Sequence, residues 1–453
     1  IEVVDFGSTG IVRCKRCRTY INPFVTWADN GRSTYFSHLD ANGQRRDKEQ
    51  RPELSHASVE FVAPGDYMVR PPQCAVDAIK SSLDDLPGAT RCQVGIITFD
   101  AHIHFYNLSA ALGAPQMLVV SDISDVILPL PEDLLVNLAD SMFKSSTSPT
   151  SCTGPALSAA KRVIQHVGGK LLLFQSSLPT IGEGALKVRE NPRLLGSDKE
   201  HTMLNAEDVW YKTTAVDFSR LQVSVDTFLF SSQYTDLATI AVLSKYTAGS
   251  TYYYPSFLAS RDGERFMGDL RRDLTRATAF EAVMRVRATR GVRFSNFYGN
   301  YYIRGTDLLA LPNCTADSSF SLDMSYDETV LSAQAVTVQA ALLYTSSEGE
   351  RRIRVLPVTA SAAEMVETLD IDCAMNLLAK QAVDIAQKTG MENARQRVNQ
   401  TTIEIMRASR VSPYSPQGQA PASGVSIPSS LLLLPLYSMS LQKSPVIRYA
   451  IVI

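Results

Sequence analysis

The sequence predicts a multidomain chain of α/β plus β class: a zinc-ribbon module, a doubly wound trunk, a β-sandwich and a helical domain. Three observations carry this. A Cys-x-x-Cys pair, Cys14 and Cys17, stands in a polar opening segment rich in turn residues. Strand-like and helix-like segments then alternate as far as residue 280. Beyond that the pattern is strand-like to residue 360 and helical after it. At 453 residues the chain exceeds what one core organises.

Residues 1–58 form the cysteine-bearing module. Cys14 and Cys17 have the spacing of half a structural zinc site, but a closed tetrahedral site needs four ligands. A second pair is expected within about 15–20 residues. Ser37-His38-Leu39-Asp40 stands there instead.

Residues 59–280 carry the alternation of an α/β trunk. Residues 94–99 are apolar almost throughout, as buried parallel strands are. Residues 102–106 read as the hairpin partner, and 117–120 as another buried strand. An amphipathic helix at 154–167 is stopped by Gly168-Gly169, and a strand follows at 170–174. Helices at 203–216, 235–246 and 265–278 alternate with strands at 223–230 and 251–254.

Residues 281–360 give strand-like runs at 283–288, 297–303, 330–344 and 353–359, which suggests a β-sandwich. Residues 361–453 are rich in Ala, Leu, Gln and Glu at helical spacing, interrupted by a Pro/Ser/Gly loop at 411–428.

Composition excludes several classes. Apolar residues make up 45% and charged residues 20%, ordinary for a globular protein. A formal net charge of −2 gives no global pull towards nucleic acid or membrane. Seven cysteines in so long a chain make no disulfide scaffold and fit a reducing cytosol. The opening residues carry no signal-peptide pattern. The apolar run at 431–436 contains Pro435 and is too short to span a bilayer.

Catalytic motifs fail in turn. Gly168-Gly169-Lys170 resembles a fragment of a phosphate loop, but it leads from helix into strand, and Leu171 stands where Ser or Thr is needed. A helix-ending glycine pair is the better reading. Ser121-Asp122-Ile123-Ser124-Asp125 falls short of a cation-binding Asp-x-Ser-x-Ser motif because Val126 follows. His102 and His104 could ligate a metal from one strand face, though a solvated face accounts for them better. No residues assemble a nucleophile, base and oxyanion donor.

Paired arginine stands out instead. Arg285 and Arg287 are one residue apart on an expected strand, so both emerge on one face. Arg46 and Arg51 lie in a polar loop near the cysteine module. Such a pair suits bidentate binding of carboxylates, with surface solubility or internal salt bridging as the alternative.

Residues 13–24, Arg-Cys-Lys-Arg-Cys-Arg-Thr-Tyr-Ile-Asn-Pro-Phe, resemble the zinc-finger entry of the inner-shell subunits of the COPII vesicle coat. The likeness continues through residues 59–72, Pro115 to Asp122, Gln233 to Thr239, Met284-Arg-Val-Arg287, Tyr298-Gly-Asn300 and Leu434-Pro-Leu-Tyr437. Gln116 to Asp122 and Asp307-Leu-Leu-Ala-Leu311 are more similar to the cargo-adaptor subunit, the Sec twenty-four family, than to its GTPase-activating sister.

The resemblance implies a von Willebrand A-like trunk and a structural zinc. It implies no catalysis, but recognition of sorting signals on membrane cargo and SNARE proteins during export from endoplasmic reticulum to Golgi. Implied partners are the sister subunit, as a heterodimer, and the small coat GTPase. The implied location is the cytosolic side of the endoplasmic reticulum and coated vesicles, in peripheral contact with membrane. One cargo pocket maps onto Arg285, Arg287, Arg51 and Arg46, and takes acidic signals. Arginine-finger activation of a GTPase, the sister's role, is the alternative.

Three departures stand against the family pattern. The second cysteine pair is missing around His38-Leu39. Pro71-Pro72-Gln73 leads at once into a helix-like stretch at Cys74, where the first trunk strand is expected. No gelsolin-like domain follows before Ile453. These departures read as ordered pieces joined end to end, an expectation that an intact mass equal to these 453 residues would refute.

Overall fold

The computed structural model describes residues 73–87, 92–107, 116–123, 150–194, 197, 199–230, 234–326, 335–410 and 427–447. The cysteine module, with Cys14, Cys17, Arg46 and Arg51, lies outside them, as does most of the 411–428 loop. Among the described residues no helix is long and apolar enough to cross a membrane.

Helix α1 (Gln73–Ser82) forms where the sequence turns helix-like. Its small Ala75 and Ala78 let it lie close against an aromatic layer of Phe228, Phe230, Tyr254 and Phe266. Strands β1 (Ile97–Phe99), β2 (Ile103–Asn107) and β3 (Gln116–Val120) follow as an antiparallel sheet in chain order. Helix α2 (Thr153–Ile164) ends in Gly168 and Gly169, whose φ values of 72° and 125° turn the chain into β4 (Gly169–Gln175). The glycine pair is thus a helix exit, as its order in the sequence suggests.

Helix α3 (Val209–Arg220) is capped by Asp208, which accepts from the Trp210 amide at 2.8 Å. It starts later than expected because residues 200–204 make a separate 3-10 turn. Strand β5 (Val223–Leu229), helices α4 (Leu237–Ile240) and α5 (Val242–Tyr246), strand β6 (Thr251–Tyr253) and helix α6 (Ala259–Thr275) complete the trunk.

Strands β4, β5 and β6 pair in parallel, with β5 in the middle and buried along its whole length. Val223, Val225 and Leu229 pack on one side with Leu157, Phe218 and Leu243. Phe228 packs on the other, in the aromatic layer beneath α1 and α6. Helices therefore cover both faces, which makes the sheet doubly wound. The trunk strands form two separate sheets among the described residues, β1-β2-β3 and β4-β5-β6. Phe99 of β1 packs against the cores of both.

One expectation is corrected here. His104 is fully buried, not on a solvated face. His102 lies in the turn before β2, so strand alternation does not link the two rings. The Thr98 hydroxyl sits 3.1 Å from His104 Nδ1 and 2.8 Å from the Tyr106 hydroxyl. Burial holds the imidazole down at about 4, against the opposing pull of Asp100, so it is neutral at pH 7.

Two glycines test the packing. A Cβ on Gly249, in the turn before β6, would come within 2.0 Å of the Val225 carbonyl oxygen. That oxygen belongs to the central strand and cannot yield. Gly249→Ala is expected to destabilise the trunk by roughly 1–3 kcal/mol. Gly268 is exposed in the middle of α6 with open space around it. Gly268→Ala is expected to gain about 0.5–1 kcal/mol. Thermal denaturation of the two variants side by side checks both, and equal melting temperatures would refute the argument.

The sandwich contains β7 (Thr278–Ala288), β8 (Val292–Tyr298), β9 (Tyr302–Arg304), β10 (Leu308–Thr315), β11 (Ser321–Tyr326), β12 (Ala335–Thr345) and β13 (Arg351–Ser361). One sheet has the order β13-β12-β7-β10-β9, and the other pairs β11 with β8. The sequence reading passes over β10 and β11. It also takes residues 297–303 as one strand, where Gly299, at φ 144°, turns the chain between β8 and β9.

Polar contacts fasten sandwich to trunk. Asn313 of β10 donates to the buried Ser224 hydroxyl of β5, and Asn300 donates to the Gly249 carbonyl at 2.6 Å. Within the trunk, Lys170 Nζ lies 3.0 Å from Asp226 and 2.7 Å from Asp273, both fully buried. Arg276 joins Asp273 to Asp317, at 3.2 Å from the latter.

The helical domain holds α7 (Ala362–Glu367), opened by a Ser361–Glu364 capping box, then α8 (Ile371–Thr389), α9 (Met391–Arg410) and α10 (Leu434–Lys443). Gln381 of α8 donates to Asp323 of β11 at 2.7 Å, joining this domain to the sandwich.

Candidate carboxylate-binding face

Strand β7 reads Thr-Ala-Phe-Glu-Ala-Val-Met-Arg-Val-Arg-Ala. Ala282 and Val286 are buried, while Arg285 and Arg287 are exposed on the opposite face. The structure thus places both arginines together, as their spacing requires. Register supplies their neighbours. Arg285 pairs with Ala341 of β12 and Leu308 of β10, and Arg287 pairs with Gln339. One strand further out, Ala341 pairs with Val355 and Gln339 with Pro357, while Ile353 sits opposite Leu343. Ile353 and Val355 are exposed, so an apolar strip on β13 lies across β12 from the guanidinium pair.

Arg285 is already engaged. Its Nε is 2.7 Å and its Nη2 2.8 Å from the two oxygens of Asp307, a two-pronged pair. Asp307 stands in the turn between β9 and β10, two residues after Gly305 at φ 73°. The hydrogen bond from Arg285, helped by the charges of Arg285 and Arg287, holds its carboxyl below the usual carboxylate range. The pair is nevertheless accessible, with 44% of the Arg285 side chain and 31% of the Asp307 side chain exposed. Water screening makes such a pair weak and exchangeable.

Arg287 forms no ion pair among the described residues, although Asp307 feels its charge. Of the cations on β13, Arg351 faces Glu281, Arg352 faces Glu348 and Glu350, and Arg354 lies in register with Leu342 and Met284, on the face away from Arg285. Chemically, this face offers one open guanidinium, one guanidinium held by an internal carboxylate, and apolar surface beside them. Internal salt bridging, the alternative reading for the arginine pair, therefore holds for Arg285. Arg46, Arg51, Cys14 and Cys17 lie outside the described residues. Asp307 escaped the sequence reading as a site residue, because its pairing depends on the β7–β10 register, which no local pattern encodes.

Among the described residues no group of three or more His, Cys, Asp or Glu could hold a metal. Cys152 is buried, and burial raises its thiol well above the ordinary range.

Comparisons with known proteins agree from end to end. Four domain families match in order: the Sec23/Sec24 zinc finger over residues 11–35, the trunk domain over 71–274, the beta-sandwich domain over 279–363 and the helical domain over 370–452. Among similar proteins, the protein transport protein SEC24 A of Arabidopsis thaliana is 43% identical over 497 residues, covering 98% of this chain and 48% of that protein. Sec24A of Homo sapiens is 40% identical, covering 98% and 45%. The crystal structure of the human COPII-coat protein Sec24c superposes with a TM-score of 0.76 at 31% identity, covering 100% of this chain and 66% of that one. The chain spans about half the length of the relatives it matches in sequence. The Arabidopsis alignment runs over 497 positions although this chain has 453 residues, so that relative carries segments with no counterpart here.

Proposed function

This chain belongs to the Sec24 family, and from that membership we propose that it serves as a cargo-adaptor unit of the COPII coat. It would recognise acidic sorting signals on membrane cargo and SNARE proteins leaving the endoplasmic reticulum for the Golgi. The observation that supports this most directly is the exposed Arg285/Arg287 face beside the apolar strip of β13. A guanidinium pair binds carboxylates, and exposed apolar surface accepts the side chains around them. Arg51 and Arg46 join the same pocket in this reading. Titration of a fluorescent acidic sorting peptide against the full chain tests it, and no saturable binding would refute it.

The proposed partners are the GTPase-activating sister subunit, the small coat GTPase and the membrane surface on the cytosolic side of the endoplasmic reticulum. The similar proteins carry Sec24 names, which favours the adaptor over the sister. A GTP-hydrolysis assay separates the two roles: strong stimulation of the coat GTPase by this chain alone would favour the sister. No catalytic role is proposed.

The zinc-finger match over residues 11–35 supports a structural zinc. Cys14 and Cys17 supply two thiolates at the right spacing, and we assign them as ligands. Cys14→Ser with Cys17→Ser is expected to remove bound zinc, read by elemental analysis of the purified chain. Undiminished zinc in that variant would overturn the assignment.

A further inference from the structure

We propose that Asp307 is a built-in competitor for carboxylate ligands at Arg285, and so sets how much a second acidic group adds to binding. This rests on the reading of the Arg285/Arg287 face as a carboxylate site.

The geometry of the pair is that of a ligand. Asp307 takes the side-on edge of the guanidinium, with Nε and Nη2 at 2.7 and 2.8 Å. An incoming carboxylate could use only the remaining edge, next to the Asp307 charge, or displace Asp307 outright. Displacement is open to it, because both partners are accessible and screened by water. The turn permits it too: Gly305, two residues before Asp307, has a positive φ and open space around it.

Charge decides the consequence. Asp307 cancels one of the two cations, which leaves Arg287 as the sole uncompensated guanidinium of the pair. A ligand with one carboxylate satisfies Arg287 and gains nothing at Arg285. A ligand with two can occupy Arg287 and compete with Asp307 for Arg285. Asp307 therefore weakens the gain from a second acid, and is a specificity-determining residue that need not touch the bound signal.

Asp307→Asn removes the competing charge with little change in shape. It is expected to tighten binding of a two-acid peptide about 3- to 10-fold, to tighten a one-acid peptide less, and so to widen the preference between them. The gain should shrink at high salt. Asp307→Glu keeps the charge and should keep the preference. A second measurement needs no peptide: p-hydroxyphenylglyoxal, which attacks unpaired guanidinium groups, should modify Arg285 faster in Asp307→Asn than in the parent, read by peptide mass mapping.

Weaker or unchanged two-acid binding in Asp307→Asn would overturn the proposal, the former by showing that Asp307 only orients Arg285. Equal modification rates would overturn it independently. Arg287→Glu separates the premise. If peptides bind and Arg287→Glu leaves their affinity unchanged, the carboxylate reading of this face fails, and the competitor role with it.

Discussion

Replacing Arg285 and Arg287 together by glutamate is expected to abolish measurable binding of acidic sorting peptides, a loss of about 100-fold or more. Each arginine offers charge-assisted hydrogen bonds that a carboxylate ligand cannot recover elsewhere on this face. Reversal goes beyond removal, because the new glutamates would stand beside Asp307 and repel the ligand. The fold should be untouched. Both side chains are exposed on β7, while Ala282 and Val286, which hold the strand to its core, face the other way. Circular dichroism and melting temperature should match the parent, so a loss of binding cannot be blamed on unfolding. In the parent protein, affinity should also fall as salt rises, because attraction at an accessible site is screened. Peptide affinity unchanged by the double reversal would rule this face out.

The second large effect is expected inside the trunk. Lys170 donates to the Asp273 carbonyl at 2.8 Å and neutralises Asp226 and Asp273, whose side chains are fully buried. Lys170→Met keeps the bulk of the side chain and removes its charge. Two carboxylates then face each other with Arg276 as the remaining nearby cation. Stranding a buried charge in this way costs roughly 3–5 kcal/mol, enough to lower the trunk's melting transition clearly. Because the chain has several domains, the trunk transition is the quantity to follow, not one global free energy.

The pH dependence identifies the cause. Burial, and then the Asp226 charge, hold the Asp273 carboxyl above the ordinary range, while Lys170 pulls it down. Losing Lys170 lets it rise further. A carboxyl whose folded pKa exceeds its unfolded value binds its proton first in the folded state, so relative stability returns as pH falls through the folded pKa. The Lys170→Met deficit should therefore be smaller at an acidic pH than at a neutral one. Adding Asp226→Asn should restore part of the loss, because one of the two stranded charges is gone. A deficit equal at both pH values, with no rescue by Asp226→Asn, would show that lost packing and not charge is responsible.

Much of this architecture is legible in the residues themselves. The strand expected at 223–230 is β5, buried along its whole length although Ser224, Asp226 and Thr227 interrupt its apolar residues. Gly168 and Gly169 mark the end of α2, and one intervening residue puts Arg285 and Arg287 on one face. Elsewhere local pattern fails for physical reasons. Strand β10 begins Leu-Leu-Ala-Leu with no period, and its identity as a strand comes from β7 and β9 on either side. His104 is buried because Val119 of β3 pairs against it, a contact made across the sheet. The Arg285–Asp307 pair depends on the same kind of register, so the candidate face could be named from sequence but not the carboxylate that already occupies part of it.

Strand β10 runs from that face to the trunk. Leu308 at one end lies beside Arg285, directly after Asp307, and Asn313 reaches the buried Ser224 of β5 from five residues further on. At about 3.4 Å per residue this is a straight strut of roughly 17 Å. Its anchor is a hydrogen bond, and hydrogen bonds fix direction where apolar contact fixes only proximity. The arginine face is therefore aimed as well as attached: whatever holds the trunk at a given tilt also sets the bearing on which a carboxylate must approach.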